Sequence, residues 1–305
     1  MSSHLRGLAY GLTASFLWGT VFVVARYLVD VRQLDPYYMA ALRFGVGGLF
    51  ALGWVWVQLG TEKVLAARSF TWPILALAAV GPFGLGVFVF ISAQYTTSIN
   101  SSLIVNSNAI FIALFALLIG ERMNWLRFSG LWIGLVGCGI VIFSAAPEQP
   151  LPPSNNLLGG MAALGGAVCW AAYTAFGKGL VRRLGGEVAS AWCILGGGLM
   201  LAVLAVLQGG VRPLTGLELL AVAYMAIGPT AIAMGLWYKA LELVDSSALG
   251  PSQYIAPLVS VILGWLLLCE PIGPSFVVGC TVTLLGVYMA TRPLKQTVCR
   301  NRLCR

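Results

Sequence analysis

Arg43 is the residue with the plainest chemical potential, because it is a guanidinium inside an otherwise apolar run, ALRFGVGGLFALGWVW. A charge in such a setting is a functional expectation by default, and its partner would be a substrate carboxylate or phosphate. A second reading stays open. Arg43 lies about 10 Å along a helix from Pro36 at roughly 1.5 Å per residue, within reach of snorkelling to an interface. Trp18 and Trp170 are the next candidates. They occupy matching places in two similar segments, far from the ends of their apolar runs, and Tyr173 follows Trp170 at one-turn spacing on the same face. Such rings suit apolar or ring-bearing side chains and can stack on a cation, or they can serve as helix-packing bulk.

Amides form a third group. The stretch from Asn100 to Asn108 is unusually polar for lipid, with Ser101, Ser102, Asn106 and Ser107 between them. Buried amides must find hydrogen-bond partners, so this helix should face other helices or a wet cavity. Asn106 and Asn108 are two positions apart and cannot share a face. Asn106 continues a stripe with Ser102 and is the better placed of the two for a path. Gln253 and Tyr254 lie between Pro251 and Pro257, where loosened backbone can offer carbonyls to a ligand. Structural polar glue is the competing reading for each amide. Gly81-Pro82 and Gly228-Pro229 interrupt two helices at matching places, and the missing proline N–H predicts kinks there that act as hinges.

What is missing narrows the chemistry. All ten acidic residues fall in connections or near helix ends, and the only histidine is His4. Mid-membrane carboxylates of the kind that relay protons are therefore not expected. An intramembrane enzyme would need a nucleophile and base, a carboxylate pair or metal ligands, and none is visible. The seven cysteines show no CxxC, so no metal or cofactor is expected. No GxxxxGK[ST] loop is present for ATP. The connections are too short to build a receptor's or scaffold's partner surface.

These residues must be positioned by helices in a bilayer. Of 305 residues 59% are hydrophobic and 9% charged, with a mean hydropathy of +0.89. Soluble chains carry about 25% charged residues, so this chain needs lipid as its solvent. Apolar runs predict an all-α integral membrane protein with ten transmembrane helices near 8–28, 37–58, 72–93, 97–119, 127–145, 157–177, 188–208, 218–238, 247–268 and 274–291. The first run has no convincing cleavage site after it and reads as a retained helix. With the N-terminus inside, 14 basic residues fall on inner segments and 3 on outer ones. That bias predicts cytoplasmic termini at a plasma membrane, bacterial inner membrane being the expected setting. It also explains the net charge of +8 without a nucleic-acid partner.

The two halves repeat each other. Trp18…Arg26 recurs as Trp170…Lys178, Gly81-Pro82 as Gly228-Pro229, and Glu121, Gly130 and Gly137 as Glu270, Gly279 and Gly286. Two units of five helices, an odd number, must be inverted relative to each other, an arrangement that can expose a central site alternately to either side. The expected organisation is a first repeat over 1–146, an external Pro-rich linker over 147–156, a second repeat over 157–292 and a basic cytoplasmic tail over 293–305. Gly130, Gly134 and Gly137, with Gly279 and Gly286, read as close-packing faces that leave homodimerisation open.

Four segments carry a family resemblance: WGTVFVVARYL, DPYYMAALRF, YTTSINSSLIVNSNAIFIALFALLIGER and SSALGPSQYIAPLVSVILGWLLLCEP. The chain resembles EamA-type members of the drug/metabolite transporter superfamily, with two repeats, from about Gly7 to Arg292. One departure is Asn108 where the second repeat has Pro257, which implies a straighter fourth helix than ninth. The resemblance implies a small-molecule carrier in a lipid bilayer, with export of amino acids or related metabolites as the leading function. Efflux of hydrophobic or cationic compounds is the alternative.

Overall fold

The computed structural model describes residues 3–26, 28, 32–95, 104–121, 123–144, 156–268 and 274–292, and no strand occurs among them. The linker after residue 146, the basic tail, Asn100 to Ser102 and Glu270 lie outside the described residues or nearly so, as does the polar stripe from Ser102. Helix α1 spans Ser3–Arg26 and α2 spans Pro36–Leu59. Helix α2 starts where Asp35 accepts the Tyr38 N–H at 2.8 Å and Pro36 supplies a preset φ. It ends at Gly60, whose φ of +81° lets the chain turn directly into α3, Thr61–Ala66. A 3-10 turn, Ala67–Phe70, leads to α4, Thr71–Ala78, and α5 covers Leu85–Tyr95.

The remaining helices are α6 (Asn108–Leu118), α7 (Trp125–Ser144), α8 (Asn156–Leu184), α9 (Gly186–Leu207) and α10 (Gly216–Met225). After them come α11 (Ala233–Leu243), α12 (Ser246–Leu249), α13 (Ile255–Leu268) and α14 (Ser275–Ala290). Among the described residues, six helical stretches are long and apolar enough to cross a bilayer: Pro36–Leu59, Thr61–Val89, Leu157–Leu184, Gly186–Leu207, Gly216–Leu243 and Ser246–Leu267. Ile104–Leu118, Trp125–Val141 and Ser275–Ala290 are shorter apolar helices.

Helix boundaries differ from the hydropathy reading in two places. Residues 61–70 are helical where a polar break was expected, and α8 runs on through Lys178, Arg182 and Arg183 to Leu184. Both stretches are rich in good helix formers, so the helix outlasts the apolar run. In the fourth helix a single turn residue, Ser107, precedes α6, while Pro257 sits in the first turn of α13, where proline is tolerated. The break in that part of the second half is a 3-10 turn, Gly250–Tyr254.

Pro82 and Pro229 each lie in a π-helical turn, Ala79–Gly84 and Ala226–Ile232, which interrupt otherwise continuous helices at the repeat-related places. Packing between the halves is reciprocal. Helix α1 packs on α11 and α13, and α8 packs on α5 and α6. The α2 helix meets the Pro229 turn as α9 meets the Pro82 turn, while α2 pairs with α9 and α7 with α14. Glycines make the α7–α14 contact backbone to backbone. A methyl group on Gly130 would lie 2.6 Å from the Ala290 nitrogen, and one on Gly279 2.7 Å from the Val141 nitrogen. This glycine face is therefore occupied within the chain.

Candidate functional site

The Pro229 turn is where the candidate residues converge. Having no N–H, Pro229 leaves the Met225 carbonyl without its usual helical donor. The π-helical turn shifts the backbone bonding by one residue, and the Thr230 hydroxyl also donates to Met225 O, at 2.8 Å. Arg43, reaching across from α2, donates its Nε–H to Thr230 Oγ1 at 2.7 Å. Its guanidinium also lies over the Phe44 ring, 4.9 Å from the centroid. Among the described residues no carboxylate pairs with Arg43, and its remaining N–H groups have no protein acceptor. From α1, the Trp18 indole N–H donates to the carbonyl of Pro229 itself at 3.0 Å.

Trp18 joins this polar turn to an aromatic cluster. Its ring centroid is 5.1 Å from that of Trp170, edge on, and 5.2 Å from that of Trp237 on α11. Trp170 lies 5.4 Å from Tyr173, which stacks at 4.8 Å on Tyr238. Trp237 donates to Thr174 Oγ1 at 3.2 Å, and Tyr238 to the Tyr173 carbonyl at 3.2 Å. By contrast, the Trp170 indole nitrogen is buried with no partner among the described residues, a costly state for a polar group. The Tyr173 ring also covers Gly81, where any Cβ would overlap it, so the cluster touches the Pro82 turn as well. Pro82 itself packs on Gly197 of α9.

Tyr254 lies apart from this cluster. Tyr254 belongs to a separate core with Ala109, Ala113, Leu131, Cys138 and Val287. Its hydroxyl donates to Leu131 O at 3.3 Å and its ring rests on Gly134. Gln253 and Asn108 are buried, each with one amide atom (Nε2 and Oδ1) lacking a partner. Asn106 is half-buried. Gly228 has open space around it, with only the Tyr224 ring near.

Sequence reasoning missed Thr230 and Trp237. A signal for the second existed: Trp237 follows Pro229 at the same distance as Phe90 follows Pro82. It also missed two ion networks at opposite ends of the Gly216–Leu243 stretch. At one end Glu121 accepts from Lys178 Nζ at 2.7 Å, from the Ser246 and Ser247 N–H groups at 3.0 Å each, and from the Ser246 hydroxyl at 2.9 Å. Lys178 also reaches Asp245 at 3.1 Å, and Arg127 approaches Asp245 at 3.9 Å. Burial by itself pushes the Glu121 carboxyl up, but the Lys178 hydrogen bond, the Ser247 N–H, the Lys178 charge and the Ser246 N–H together outweigh it and hold it below its ordinary value. At the other end Glu218 accepts two bonds from Arg212, at 2.9 and 3.0 Å, one from Arg32 at 3.0 Å and one from the Thr215 N–H at 2.8 Å. Each network ties the first half of the chain to the second.

Residues 5–143 and 157–292 each match the model of the EamA-like transporter family. An uncharacterized transporter of Archaeoglobus fulgidus is 27% identical over 90% of this chain and 93% of its own. The aromatic amino acid exporter YddG of Ancylobacter novellus is also 27% identical, over 92% of this chain and 95% of its own. A crystal structure with 25% sequence identity superposes with a TM-score of 0.81, covering 93% of this chain and 97% of the other.

Proposed function

Since the chain belongs to the EamA-like transporter family, and is thus a multi-pass membrane transporter rather than an enzyme, we propose that it exports amino acids or related metabolites by alternating access. Arg43 carries this reading: its unpaired N–H groups suit a substrate carboxylate, and they stand one residue along the Pro229 turn from the Trp18 contact. The Trp18, Trp170 and Trp237 rings suit an apolar or aromatic side chain. That combination fits the aromatic amino acid export for which the Ancylobacter relative is named.

The transport cycle we propose uses ten spans in two inverted five-helix repeats, in the plasma membrane with both termini cytoplasmic. Reciprocal packing of the halves and the basic-residue bias support that arrangement. The Glu121 and Glu218 networks then close opposite ends of the path, and the Pro82 and Pro229 turns bend as one opens and the other forms.

Uptake of radiolabelled amino acids into proteoliposomes loaded with unlabelled amino acid tests the proposal. Flux above empty liposomes, competed by excess phenylalanine and weakened in Arg43→Met, is the expected result. Flux of quaternary ammonium compounds with none of amino acids would instead favour efflux of cations, which the aromatic rings can stack on but Arg43 repels.

A further inference from the structure

The two proline turns are repeat-related but chemically unlike. One reads Gly228-Pro229-Thr230 and is met by Arg43; the other reads Gly81-Pro82-Phe83, and α9, which meets it, carries no basic residue. The first turn holds hydrogen bonds from Arg43 and Trp18, while the Tyr173 ring lies on the second.

We infer that Thr230 is a positioning residue that aims Arg43 at the substrate's anionic group and gives the site its polarity, with carboxylate toward the Pro229 turn and apolar body toward the Pro82 turn. This rests on the substrate reading above. The Thr230 hydroxyl has one proton, and the Met225 carbonyl takes it. Its lone pairs are then left to accept, so the bond polarity is fixed and the Arg43 Nε–H is the donor that meets them. Held by Nε, the guanidinium presents its two terminal nitrogens as a fork, the geometry that receives a carboxylate end on. Position as well as direction is constrained. A Cβ on Gly47, one turn along α2 from Arg43, would lie 2.6 Å from the Ala226 carbonyl and 3.0 Å from the Thr230 methyl. Helix α2 is therefore packed directly on the turn beside Arg43, and the carboxylate reports to the turn through a single hydroxyl.

The test compares Thr230→Val with Thr230→Ser in proteoliposomes, using radiolabelled phenylalanine as substrate and unlabelled phenethylamine, which lacks the carboxylate, as competitor. In T230V the half-saturation concentration for phenylalanine should rise roughly tenfold, the loss of about one charged hydrogen bond. Inhibition by phenethylamine should stay put, and T230S should restore the wild-type value. If T230V does not fold, Thr230→Ala carries the same comparison without adding a branch. Equal values for T230V and wild type, or equal losses for phenylalanine and phenethylamine, overturn the inference. Arg43→Met separates the two levels. If R43M loses the preference for phenylalanine over phenethylamine while T230V does not, only the role of Thr230 fails. If R43M keeps that preference, or wild type moves no amino acid, the substrate reading fails and this inference falls with it.

Discussion

Lys178 Nζ stands 2.7 Å from Glu121 Oε1, with only 9% and 7% of the two side chains exposed. Removing one member of a buried pair strands the other. Glu121→Gln should lower stability by about 3 kcal/mol, less than complete isolation because Asp245 remains near Lys178. The double variant E121Q/K178M should lose less than the two single losses combined, as expected for coupled residues. Thermal unfolding in detergent, followed by tryptophan fluorescence, checks both.

The same carboxylate sets a pH dependence. Its folded value is depressed, so its contribution is complete above the ordinary carboxylate range and is lost as pH falls through that range and below. Between about pH 7 and about pH 4, the midpoint of wild-type unfolding should fall further than that of E121Q. Parallel curves would mean that Glu121 is not the group responsible.

Trp18 and Trp170 are related by the repeat but not by hydrogen bonding. Trp18→Phe removes a bond to Pro229, whereas Trp170→Phe removes an N–H that has no partner among the described residues. Ring shrinkage is common to both, so W18F should be the less stable by about 1 kcal/mol. Chemical unfolding of the two variants side by side measures that gap.

The glycines of the two Gly-Pro pairs should also part company. Gly81→Ala must displace the Tyr173 ring and should cost about 1–3 kcal/mol. Gly228→Ala meets only the Tyr224 ring at 3.7 Å and should leave stability unchanged or raised by about 0.5–1 kcal/mol. Pro82→Ala probes motion instead of packing. Slower exchange in liposomes with intact folding is expected if the turn bends, and unchanged rates would count against it.

Much of this was legible beforehand because lipid imposes a blunt code. Long apolar runs, a stranded Arg43 and matched Gly-Pro pairs each carry a signal within a short window of sequence. Thr230 carried none. A hydroxyl after Gly-Pro acquires meaning only when Arg43 is brought to it from α2. Glu121, Lys178 and Asp245 likewise show no local pattern, since their pairing depends on how α8 and the turn before α12 pack. Helix ends at Thr61 and Leu184 were misplaced for a different reason: hydropathy marks where lipid ends, and helix propensity continues past it.

The glycine seam between α7 and α14 has a consequence for heredity. Every alternative residue is larger than glycine, and at Gly130, Gly137, Gly279 and Gly286 the added atom would strike main chain in the facing helix, which no rotamer change can relieve. A saturation survey scored for transport should therefore find that these codons tolerate almost no replacement. Lipid-exposed neighbours such as Val136 and Leu285 should accept nearly any apolar replacement.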